Sequence, residues 1–64
     1  MKLIYRDQVW ELDGRMTVRE AIQKVGLNPE SVLATRQGKV INEEELLEED
    51  DEIRLVAVIS GGLR

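Results

Sequence analysis

The stretch from Met16 to Pro29 sets the tightest limit on what this chain can fold into. Thr17-Val18-Arg19-Glu20 matches the capping box S/T-x-x-E, in which the hydroxyl satisfies an open amide of the first turn and the glutamate reaches back to the cap. Val18, Ala21, Ile22 and Val25 then recur at i, i+3, i+4 and i+7, which is one apolar stripe along a helix. Gly26 suits the left-handed residue that closes a helix, and Pro29 stops it from resuming. A single helix with one apolar side has to bury that side against another element. Most of the remaining chain reads as strand, so that element must be a sheet.

Lys2 to Arg6 is β-rich and alternating, Asp7-Gln8 reads as a turn, and Val9 to Leu12 continues as a second strand with Trp10 and Leu12 on one face. Asp13-Gly14-Arg15 is a turn before the helix. Ser31 to Arg36 and Lys39 to Ile41 are two further strands around Gln37-Gly38. Glu43 to Asp51 has only Leu46 and Leu47 as apolar residues, and reads as one turn of helix or a loop pinned by both leucines. Ile53 to Ile59 is the most hydrophobic strand and therefore a central one. The order β-β-α-β-β-β predicts an α+β fold: a mixed sheet of four to five strands, one main helix across one face, and the first and last strands parallel at the centre.

Alternation along the last strand sends Ile53, Leu55 and Ala57 toward the helix. It sends Arg54, Val56 and Val58 to the open face, with Arg54 in solvent. Ile4, Val56 and Val58 then make an apolar patch beside the chain end, a candidate partner-docking surface. Trp10 and Tyr5 read as core. Arg36 and Lys39 read as solvated charges flanking a turn.

Sixty-four residues make one domain, and a chain this short buries only roughly 60% of its unfolded surface. The domain is expected over 1–59, with a tail over 60–64. There is no cysteine and no histidine. The thiolate, the commonest metal ligand and the usual general base are therefore all missing. A core this small leaves little room for a buried cleft, and the expectation is a non-enzyme. The net charge of −4 argues against nucleic acid as a partner. No apolar run approaches the roughly 20 residues of a membrane span, and the N-terminus reads as strand and not as a signal peptide. A cytoplasmic protein, monomeric when alone and with no membrane partner, is expected.

Eight of the 13 carboxylates lie in one segment: Glu43, Glu44, Glu45, Glu48, Glu49, Asp50, Asp51 and Glu52. Calcium loops space their ligands at alternate positions around a glycine. That spacing is missing here, so no metal is expected. The segment reads as a solvated loop whose charge can steer the protein toward a basic partner surface.

The last strand runs directly into Ser60-Gly61-Gly62-Leu63-Arg64. Glycine loses the most backbone entropy on ordering, so a diglycine here adds little to the fold. It supplies a slender arm without Cβ atoms, suited to a narrow groove, and this points to the tail as the functional part.

Taken together, the element order, helix cap and tail resemble the ubiquitin-like β-grasp fold and, more narrowly, the ThiS/MoaD family of small sulfur carriers. The likeness is carried by Thr17-Val18-Arg19-Glu20, by Gly26-Leu27-Asn28-Pro29-Glu30-Ser31-Val32, by the acidic segment Glu44 to Asp51, and by Val58-Ile59-Ser60-Gly61-Gly62. It covers nearly the whole chain. The resemblance implies an E1-like adenylating enzyme that uses ATP to activate the carboxylate of Gly62. A sulfur donor then converts the acyl-adenylate to a thiocarboxylate. A sulfur-acceptor synthase takes the sulfur, in thiamin, molybdopterin or related biosynthesis. The carrier itself would bind no cofactor.

Leu63 and Arg64 depart from that pattern, because the free carboxylate belongs to Arg64. Two explanations stand open: a precursor tail trimmed by a protease, or residues introduced in cloning. Two other functions also stay open. One is a ubiquitin-like modifier joined to lysines, and the other is a β-grasp binding module with an inert tail.

Overall fold

The computed structural model describes residues 1–58. The tail assigned to 60–64, with Ser60, Gly61, Gly62, Leu63 and Arg64, lies outside the described residues, as does Ile59.

Strands β1 (Lys2–Tyr5) and β2 (Gln8–Glu11) form a hairpin, followed by a two-residue strand β3 (Met16–Thr17) and helix α1 (Val18–Lys24). Then come β4 (Val32–Arg36), β5 (Lys39–Ile41), a second two-residue strand β6 (Leu46–Leu47), and β7 (Glu52–Ala57). The main sheet has five strands in the order β2-β1-β7-β4-β5. β1 and β7 pair in parallel, and every other pair in it is antiparallel. This is the mixed sheet of a ubiquitin-like β-grasp, with the first and last strands side by side at its centre and one helix packed on it.

The capping box is fully made. The Glu20 amide donates to Thr17 Oγ1 at 3.2 Å, and the Thr17 amide donates to Glu20 Oε1 at 3.0 Å. Gly26 closes the helix with φ +88°, a conformation that a Cβ makes costly. The helix buries Val18, Ala21 and Ile22 against Leu3, Ile53 and Leu55 from the two central strands and Val32 and Ala34 from β4. Tyr5, Trp10 and Leu12 pack half-buried against this core.

Several local expectations are corrected. β1 stops at Tyr5, and the turn is Arg6-Asp7, because Tyr5 pairs with Gln8. Arg6 takes a left-handed φ of 56°, with its guanidinium 5.3 Å from the Tyr5 ring centroid. A non-glycine residue in that region is uncommon, so the sequence carries no signal for it.

The segment from Glu43 to Asp51 is neither a helical turn nor a loop held by both leucines. Leu46–Leu47 pairs antiparallel with Met16–Thr17, and only Leu47 is buried, at 0% exposure against 45% for Leu46. The strand alternation that buries one leucine turns the other out.

Alternation places Ala57 on the helix side, yet it is exposed, while its register partner Val32 is buried. Alternation fixes which side of a sheet a residue takes, not what lies above it. Cover over this end of β7 closes on Val32 and leaves Ala57 open.

The acidic segment is fastened to the domain and is not simply a solvated loop. The amides of Val18 and Arg19, open donors of the first helical turn, donate to the carbonyls of Glu45 (3.0 Å) and Glu43 (2.9 Å). Three arginines add ion pairs: Arg15 with Glu48 at 3.1 Å, Arg19 with Glu43 at 2.6 Å, and Arg36 with Asp51 at 2.9 Å. Glu43 raises the Arg19 pKa above its ordinary value, first through the hydrogen bond and then through its charge. Arg36 is therefore not the free solvated charge expected beside the β4–β5 turn.

Candidate docking face and carrier terminus

The helix covers one side of the main sheet, and among the described residues no element lies on the other. Register identifies the residues of that open side. Ile4 stands between Val9 on β2 and Arg54 on β7, and Arg54 stands between Ile4 and Thr35 on β4. Thr35 pairs in turn with Val40 on β5. A cross-sheet row therefore reads Val9, Ile4, Arg54, Thr35, Val40. Two residues further along β7, Val56 stands opposite Leu33. Val9, Leu33, Val40 and Val56 are all exposed, while Ile4 is half-buried.

Of the expected patch, Ile4 and Val56 share this face on adjacent strands. Val58 lies past the end of β7, outside the register that defines this face, exposed, with its amide donating to the Ser31 carbonyl at 2.8 Å. It also lines a cleft of about 460 Å³ between α1 and β4, whose walls include Val18, Ile22, Val32 and Ile41. Val9, Leu33 and Val40 extend the apolar face beyond the residues picked from sequence. The signal for them was present, since Leu33 and Val40 alternate with the inward Val32, Ala34 and Ile41.

Contiguous exposed apolar surface on a small protein marks an interaction site more often than scattered residues do. β7, the central strand of the main sheet, carries Val56, which stands six residues before Gly62 in sequence. The strand that holds part of the apolar face is thus the last described strand before the diglycine in sequence.

The ThiS family model matches residues 2–62, nearly the whole chain and through both glycines. The chain belongs to the ThiS family. The ThiS/MoaD likeness read from its residues, and the β-grasp architecture that came with it, therefore hold. Among curated proteins, the sulfur carrier protein TtuB of Thermus thermophilus is 36% identical over 62 residues, covering 97% of this chain and 94% of the relative. Membership in this sulfur-carrier family implies an activating enzyme and sulfur-transfer partners in general. Among the described residues no helix is long and apolar enough to cross a membrane.

Proposed function

We propose that this chain is a sulfur carrier that works through the carboxylate of Gly62 once Leu63 and Arg64 are removed. An E1-like enzyme docks on the open sheet face at Ile4, Val56 and Val58. It draws the Ser60-Gly61-Gly62 arm into its site. There a carboxylate oxygen attacks the α-phosphorus of ATP and pyrophosphate leaves. A sulfur nucleophile from the donor then displaces AMP, and the terminus becomes a thiocarboxylate for a sulfur-acceptor synthase in thiamin, molybdopterin or related biosynthesis.

The observation that carries this reading is the family match through Gly62, joined to a relative named as a sulfur carrier at 36% identity. The chemistry supports it. A carboxylate is a poor electrophile until a good leaving group is attached, and a carrier supplies only the carbon terminus and a surface to hold it by. Neither task needs the histidine or cysteine that this sequence lacks.

The test is the intact mass of the protein isolated from its native cell. The expected species ends at Gly62 and includes a form in which one oxygen has been replaced by sulfur. A population that always keeps Leu63 and Arg64 overturns the reading. Adducts to lysine amines in place of the sulfur form mark a protein modifier.

A further inference from the structure

The centre of the open face holds an arginine among apolar residues and Thr35, with Lys2, Glu11 and Glu52 in the row at one end. Arg54 lies between Ile4 and Thr35 in the cross-sheet row, with Val56 two residues along on the same side. Four of the five described arginines have a partner: Arg15, Arg19 and Arg36 sit on carboxylates, and Arg6 lies over the Tyr5 ring. Among the described residues, no carboxylate lies within ion-pair distance of Arg54. Its nearest same-side acid along the strand is Glu52, which stands opposite Lys2 in the β1–β7 register. The Arg54 carbonyl takes the Thr35 hydroxyl at 2.9 Å, which helps fix the backbone beneath the guanidinium.

We infer that Arg54 is a specificity residue of the docking face, and that the activating enzyme meets it with a carboxylate set within an apolar surface. This rests on the proposed docking of that enzyme on the open face. Whatever covers Ile4, Val9, Leu33 and Val56 also covers Arg54. A guanidinium stripped of water without an acceptor is strongly disfavoured, so an apolar surface with nothing to offer it is rejected. A carboxylate answers it with two parallel hydrogen bonds, a geometry that lysine cannot reproduce. The remaining acidic charge favours no other site for such contact. It lies mainly in the arginine-fastened segment and repels a partner carboxylate, while Lys2 at the end of the face already stands opposite Glu11 and Glu52, so Arg54 is the cation at the centre of the face for a carboxylate to answer.

The test begins with fractions of the native cell assayed for ATP–pyrophosphate exchange that the chain ending at Gly62 stimulates. The enzyme so purified is then titrated with the full 64-residue chain. Arg54→Gln is expected to weaken binding at least tenfold, with Arg54→Lys recovering only part of the loss. The wild-type affinity should fall with added salt more steeply than that of Arg54→Gln. Arg15→Gln removes the same charge away from the face and should bind like wild type. Circular dichroism checks that each variant is folded. Equal affinity and equal salt dependence for wild type and Arg54→Gln overturn this inference and leave the carrier reading intact. Absence of any stimulated fraction overturns the carrier reading, and this inference with it.

Discussion

Arg36 and Asp51 meet at 2.9 Å where the end of β4 faces the acidic segment, with side chains only 28% and 20% exposed. The same Asp51 oxygen accepts the Glu48 amide at 2.7 Å, and Arg36 also reaches the Leu46 carbonyl at 3.3 Å. One carboxylate therefore closes the turn before β7 and ties it to β4. Asp51→Ala removes both contacts and leaves the half-buried guanidinium with only the Leu46 carbonyl and the exposed Glu45, for a loss of about 1–3 kcal/mol. Glu45, 3.5 Å from Arg36 and 47% exposed, is a screened partner; Glu45→Ala should cost less than about 0.5 kcal/mol. Urea unfolding followed by fluorescence of Trp10, the one tryptophan, measures both.

Leu46 and Leu47 are adjacent and chemically identical, yet they should respond very differently to truncation. Leu47 is 0% exposed and Leu46 is 45% exposed. Leu47→Ala opens a cavity in the core and should cost about 2–5 kcal/mol. In a domain this small that is a large share of the total, so the variant should be partly unfolded near physiological temperature. Leu46→Ala should stay within about 0.5 kcal/mol of wild type. Thermal melts of the pair decide the matter, and equal melting temperatures would refute the β3–β6 register.

The helix cap tests a local rule. Thr17→Ala removes the acceptor for the Glu20 amide and should cost about 1 kcal/mol, whereas Thr17→Ser keeps the oxygen and should cost little. Thr17→Ala combined with Glu20→Ala should lose less than the sum of the single changes, because the two hydrogen bonds form one reciprocal unit. Denaturant midpoints for the three variants provide the cycle.

What was legible in the sequence was what depends on neighbours along the chain. Thr17 and Glu20 are three residues apart, and Gly26 answers the end of the same helix, so cap and stop could both be read. Ile53 and Leu55 announced a central strand by hydrophobicity alone. The β3–β6 pair could not be read, because a two-residue ladder leaves no period to detect. Nor could the Arg36–Asp51 pair, since its partners are 15 residues apart and eight acids compete for every base nearby. Arg6 was missed because its left-handed turn breaks a steric preference that composition cannot reveal. Of the candidate site, Ile4 and Val56 were placed on one face by alternation. Alternation also marks Leu33 and Val40 as outward, but that they share one face with Val9, Ile4 and Val56 follows only from the strand order.

The docking face itself can be separated from the fold. Val56 is 48% exposed opposite Leu33, so Val56→Glu places a charge in solvent and should leave stability within about 0.5 kcal/mol. In the complex the same charge would be buried against apolar surface, where an unpaired carboxylate is expensive. Adenylation by the activating enzyme, read as ATP–pyrophosphate exchange with the chain ending at Gly62, should therefore need at least tenfold more carrier to reach half-maximal rate. The maximal rate should change little, since the reacting terminus is untouched. Val25→Glu serves as the contrast: Val25 is half-buried on the helix side, so a charge there should lower stability without acting through the open face. A Val56→Glu carrier activated with wild-type concentration dependence would rule out the open sheet face as the docking surface.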